Sequence, residues 1–138
     1  MICTFFAHRY APEYLKPTVR PVLIDLIENK NVDMFYVGNN GEFDFMVKET
    51  LRELQQIYPI KYYIVLAYIP KKDEYNDYSN TIYFDEVNTK PYKARIIERN
   101  KLMIQRSDYV VAFVKQLGNS RDLTELAKKK GKSVIIIE

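Results

Sequence analysis

The run Tyr109-Val110-Val111-Ala112-Phe113-Val114 constrains the fold most, because it is apolar throughout and does not alternate. A strand with one face in water alternates apolar and polar residues, whereas an unbroken apolar run suits a parallel strand covered on both faces. The residues before it have helical spacing. Ile96, Asn100, Met103 and Ile104 share one face, while Arg95, Arg99 and Arg106 carry charge, and Ser107-Asp108 closes the helix. After the run comes the turn Gly118-Asn119-Ser120, with Ser120 or Asp122 available as N-cap for a helix bearing Leu123, Leu126 and Ala127. A strand that feeds a helix through a glycine turn presents free N–H groups and the positive end of a helix dipole. Both attract a phosphate or a carboxylate.

The remaining chain repeats this alternation. Strands are expected at residues 2–7, 34–37, 62–69, 109–114 and 133–137. A helix over 17–30 buries Val19, Leu23, Leu26 and Ile27, with Pro17 at its first position. A second buries Phe43, Val47, Leu51, Leu54 and Tyr58 and stops at Pro59. Gly131 is the natural C-cap of the last helix. Residues 71–91 form a polar insert rich in Asp, Asn and Tyr, with one short extended piece at 81–84. Alternating strands and helices imply right-handed crossovers and an α/β sandwich of three layers. The expected sheet has five strands, mostly parallel, in the order 3-2-1-4-5, within a single domain spanning 1–138.

Bulk properties narrow the class. A chain of 138 residues supports a hydrophobic core without staples. Its one cysteine, Cys3, cannot form an internal disulfide, so a reducing cytoplasm is the expected location. No apolar run approaches membrane-spanning length, and the N-terminal run is too short for a secretory signal. The net charge of +3 is modest. The densest cluster, Lys128-Lys129-Lys130 with Lys132, reads better as a solvated helix end complementing its dipole than as a nucleic-acid patch. No Cys/His cluster has metal-ligand spacing and no phosphate-binding GxxxxGK[ST] loop occurs, so neither a metal site nor a nucleoside triphosphatase is expected, and no cofactor is implied.

In open parallel sheets, ligands bind outside the carboxyl ends of the strands, where the strand order reverses. Three loops are expected there: His8-Arg9 after the first strand, the segment Gly38, Asn39, Asn40, Gly41 to Asp44 after the second, and Gly118, Asn119, Ser120 to Asp122 after the fourth. The insert at 71–91 leaves the third strand at the same edge and is read as a lid.

These residues resemble a known group. Glu98-Arg99-Asn100, Met103 and Ser107-Asp108, followed by an apolar strand, a glycine turn and Glu125, resemble the LOG side of the SLOG superfamily. That superfamily joins Rossmann-like DNA-processing-protein-A domains with the "lonely guy" cytokinin-activating proteins. The Ala7-His8-Arg9 start, the Gly38–Asp44 loop and the C-terminal segment are similar to short stand-alone SLOG proteins of Gram-positive bacteria and their phages. The family loop reads PGGxGTxxE. With Gly118 on its first glycine, Glu125 falls on the glutamate, Asn119 and Arg121 replace the other glycines, Asp122 the threonine and Leu117 the proline.

The resemblance implies a Rossmann-like fold and a nucleotide-derived ligand, ADP-ribose-like or a cyclic signal, held by a sensor or sequestering protein that forms a homo-oligomer. The alternative is a LOG-like phosphoribohydrolase that removes the base from nucleoside 5′-monophosphates, with Arg99 orienting substrate and Glu125 as acid/base. A third reading, DNA binding by analogy with the DNA-processing branch, is poorly served by the charge.

Each candidate has a plainer alternative. Arg99 grips phosphate bidentately or is a surface arginine. As a cleft residue it supports no core packing, so its replacement is expected to cost affinity and little stability. Glu125 is an acid/base or a favourable charge in the first helical turn. Asp44 binds a ribose hydroxyl or caps a helix. Tyr68, Tyr75, Tyr78, Tyr83 and Tyr92 stack on a base, cover the sheet edge or form a subunit contact.

Overall fold

The computed structural model describes residues 1–7, 12–39, 41–69, 80–113 and 119–137. Its strands are β1 (Ile2–Ala7), β2 (Met34–Val37), β3 (Lys61–Leu66), β4 (Thr81–Tyr83), β5 (Tyr109–Phe113) and β6 (Ser133–Ile137). Its helices are α1 (Leu15–Asn29), α2 (Glu42–Leu54), α3 (Arg95–Gln105) and α4 (Asn119–Lys129). The strands form one sheet in the order β4-β3-β2-β1-β5-β6, and every neighbouring pair is parallel. The fold is α/β and Rossmann-like.

The five expected strands take their expected order, and β4 is added beside β3 as a sixth. The short extended piece expected at 81–84 is this strand, though its place in the sheet was not expected. Thr81, Ile82 and Tyr83 become a strand because they pair with Ile64, Val65 and Leu66 on the open side of β3. The same pairing explains why β3 stops at Leu66 rather than at residue 69. Its ladder with β2 ends at Ile64 and that with β4 at Leu66, so no paired backbone lies beyond.

Two apolar clusters cover the two faces. On one, Cys3, Phe5, Phe35, Val111 and Phe113 of the sheet meet Leu15, Val19, Leu23 and Leu26 of α1 and Phe43, Val47, Leu51 and Leu54 of α2. On the other, Phe6, Val65 and Val110 meet Leu102, Met103 and Ile104 of α3 and Leu123 and Ala127 of α4. Val110 and Val111 thus point into different layers. Along β5 the destination of the side chain alternates and its polarity does not.

Local differences from the sequence expectation have local causes. Helix α1 starts at Leu15, ahead of Pro17, and runs through Pro21. Pro17 lies in the first turn, where an N–H has no helical partner in any case. Pro21 faces solvent, so the carbonyl it leaves unbonded remains open to water. Helix α2 ends at Leu54, and the backbone N–H groups of Ile57 and Tyr58 both close onto the Leu54 carbonyl before Pro59. Gly131 ends α4 with φ +76°, while the N–H groups of Gly131 and Lys132 return to the carbonyls of Lys128 and Ala127.

From residue 80 onward the insert packs into the fold. Phe84 and Val87 are buried in the second cluster. The Arg106 guanidinium lies 4.0 Å from the Phe84 ring centroid and pairs with Glu86. Residues 70–79 lie outside the described part.

Cys3 is fully buried, and burial pushes its thiol well above the ordinary range. The thiolate is the reactive species, so native protein should leave a thiol reagent such as Ellman's untouched and react with one equivalent after denaturation. Rapid labelling of the folded protein would show that β1 opens locally.

Candidate functional site

Helices of a parallel sandwich run back against the strands, so the N-terminal turns of α2 and α3 arrive at the carboxyl ends of β2 and β3. This brings Gly38 and Asn39 after β2, Asp44 in the first turn of α2, Val65 near the end of β3, and Arg99 in the second turn of α3 into one place.

Arg99 is the centre of this group and is only 2% exposed. The sequence pattern places it in an open cleft among charged residues. The structure turns α3 so that Arg99, Leu102, Met103 and Ile104 are the buried positions. Arg99 and Met103 are four apart and share a face, so a helix that buries one readily buries the other. Taking a guanidinium out of water is costly unless its donors are satisfied. Here Nε donates to Asn100 Oδ1 at 3.0 Å, and one terminal nitrogen donates to Asn39 Oδ1 and to the Val65 carbonyl, each at 3.1 Å. Burial pulls the Arg99 pKa down, and the charges of Asp44 and Tyr68 oppose that shift.

The other terminal nitrogen and Asp44 Oδ2 lie over Gly38. A Cβ on Gly38 would stand 3.5 Å from the former and 2.9 Å from the latter. The residue is therefore glycine for space, since its φ is not positive. Asp44 is also favoured by the N-terminal turn of α2, which it shares with Glu42. Gly41 caps that helix in an extended conformation.

Arginine has donors only, so both Asn39 and Asn100 must turn their amide oxygens toward it. Their NH2 groups then point away. Asn39 is exposed, and with its oxygen committed to Arg99 its amide offers a donor to the outside of the carboxyl edge.

The other candidates divide clearly. Asn119 and Ser120 open α4, and only their backbone belongs to the described part. Asp122 is exposed in the first turn of α4. The Glu125 side chain is 60% exposed, 3.9 Å from Lys128, and lies opposite the buried positions Leu123, Thr124 and Ala127. His8, Arg9, Asn40 and Gly118 lie outside the described residues. Sequence reasoning missed the roles of Val65 and Asn100. A backbone carbonyl carries no sequence signal, and Asn100 was legible only as an amide on an otherwise apolar face.

Among the described residues, no group of three or more His, Cys, Asp or Glu could hold a metal ion. Among them too, no helix is long and apolar enough to cross a membrane. No protein-family model, curated protein or solved structure matches the chain.

Proposed function

We propose that this chain is a binding module for a nucleotide-derived small molecule, of the ADP-ribose-like or cyclic-nucleotide class, acting as a sensor or sequestering protein. The observation that carries this reading is the buried Arg99 at the carboxyl ends of β2 and β3, bonded to the Val65 carbonyl and to the amide oxygen of the exposed Asn39. Buried charges with specific partners concentrate at functional sites, and in parallel sheets those sites lie at this edge. Strand order reverses between β1 and β5, and β1 pairs with β2, the strand that leads into Gly38 and Asn39. The resemblance to SLOG proteins supports a signalling nucleotide as the ligand. A buried Cys3 suits a reducing cytoplasm, and the half-exposed Ile136 on edge strand β6 suits a homo-oligomer.

The position of Glu125 favours binding over hydrolysis. A general acid must reach the glycosidic oxygen, and Glu125 stands on the solvent face of α4 beside Lys128. Calorimetric titration with adenosine monophosphate and with ADP-ribose should give saturable binding. Adenosine monophosphate incubated with the protein should be recovered intact. Release of free adenine that vanishes in Glu125→Gln would replace this reading with the phosphoribohydrolase.

A further inference from the structure

The described tyrosines near the carboxyl edge have different fates. Tyr83 donates its hydroxyl to Asn88 and packs against the second cluster, so it is part of the fold. Tyr68, two residues beyond β3, and Tyr92, in the short 3-10 turn Tyr92–Ala94 before α3, behave otherwise. Their rings stack at a centroid distance of 4.3 Å with 29° between planes. The Tyr68 hydroxyl donates to the backbone carbonyl of Tyr92 at 3.0 Å, which fixes one ring relative to the other's main chain. Tyr92 is nevertheless 69% exposed, and Ile69 beside Tyr68 is 68% exposed. One face of the Tyr92 ring is therefore held by Tyr68 while the residue as a whole stays open to solvent.

We propose that the Tyr68–Tyr92 stack is an aromatic platform that receives the base of the ligand on the free face of Tyr92, making Tyr92 the residue that selects a planar heterocycle. This rests on the nucleotide-binding reading above and adds what that reading leaves open, the part of the site that recognises the base. A tyrosine face is a flat π-surface that favours another flat ring in offset stacking. Stacking on an aromatic side chain tolerates any base, because every base has a π-face. The platform is already assembled, so little side-chain freedom is lost when a ligand arrives. Its place fits the rest of the site. Arg99 bonds both Asn39 and the carbonyl of Val65 in β3, the strand that leads to Tyr68. A ligand with its base on Tyr92 would then extend along the carboxyl edge toward the exposed Asn39.

The test compares wild type, Tyr92→Ala and Tyr92→Phe in titrations with adenosine monophosphate and with ribose 5-phosphate, which has no base. Tyr92→Ala should weaken adenosine monophosphate about fivefold to a hundredfold and leave ribose 5-phosphate unchanged. Tyr92→Phe should retain wild-type affinity, since the face and not the hydroxyl does the binding. The adenine proton resonances should move upfield on binding to wild type and lose that shift in Tyr92→Ala. Melting temperature should hold in both variants, because Tyr92 is exposed. Equal weakening of both ligands, or an unaltered affinity for adenosine monophosphate, overturns the platform and leaves nucleotide binding standing. An unaltered affinity together with a change from oligomer to monomer would assign the stack to a subunit contact instead. Wild-type protein that binds neither adenosine monophosphate nor ADP-ribose overturns both readings.

Discussion

Replacing Arg99 with alanine should lower stability by about 3 kcal/mol, a loss on the order of 10 °C in melting temperature for a domain of this size. Deleting the side chain strands the groups that now depend on it. The Val65 carbonyl and the amide oxygens of Asn39 and Asn100 lose a charged donor, and Asp44 loses the cation that faces it. Each charge-assisted bond contributes about 1.5–3 kcal/mol, and removing several at once is not additive. Lysine should rescue only part of the loss. It keeps the charge but replaces a planar fork by one ammonium, which cannot reach Asn100, Asn39 and Val65 in their present directions. Urea denaturation of wild type, Arg99→Ala, Arg99→Lys, Asp44→Asn and the Arg99→Ala/Asp44→Asn pair would measure the coupling directly. A loss below about 0.5 kcal/mol for Arg99→Ala, the size of an ordinary surface change, would mean that the buried cluster contributes nothing to the fold.

Gly38→Val should cost about 2–3 kcal/mol and abolish binding of adenosine monophosphate. Even a bare Cβ would come within 2.9 Å of Asp44 Oδ2, and valine adds two branches to that atom. Aspartate is short and anchored in the first turn of α2, so its carboxylate can retreat only by leaving Arg99. Freed from Asp44, the guanidinium no longer holds Asn39 in its present orientation. Alanine at the same position should give a smaller loss, and Gly38→Val combined with Asp44→Ala should recover part of the stability by vacating the space. Recovery of stability without recovery of binding would separate packing from recognition. Tolerance of valine in both assays would show that the contact over Gly38 does not constrain the site.

Both predictions concern interactions invisible to local patterns. Asn39 and Arg99 are 60 positions apart, and Val65 and Arg99 are 34 apart. Helical periodicity correctly located α3 but placed its buried stripe through Asn100 when the structure runs it through Arg99. A guanidinium is ordinarily assigned to solvent, and only its partners make its burial affordable. Among the tyrosines, residue type said that a ring was present. Whether it stacks outward like Tyr92 or packs inward like Tyr83 depended on neighbours supplied by other elements.

Periodicity, glycine placement and the unbroken apolar run in β5 were enough to give a mostly parallel, doubly covered sheet and the order of its five longer strands, because each depends on interactions within a few residues or on one rule of connection. The Gly131 cap was legible for the same reason, since its left-handed backbone is a local need. Tertiary structure alone decided that β4 joins the sheet, that Arg99 is buried, and that Gly38, Asn39, Asp44 and Arg99 meet in one cluster. Those outcomes depend on distant groups meeting, and the free energy of a paired strand or a buried charge exists only once the partner has arrived.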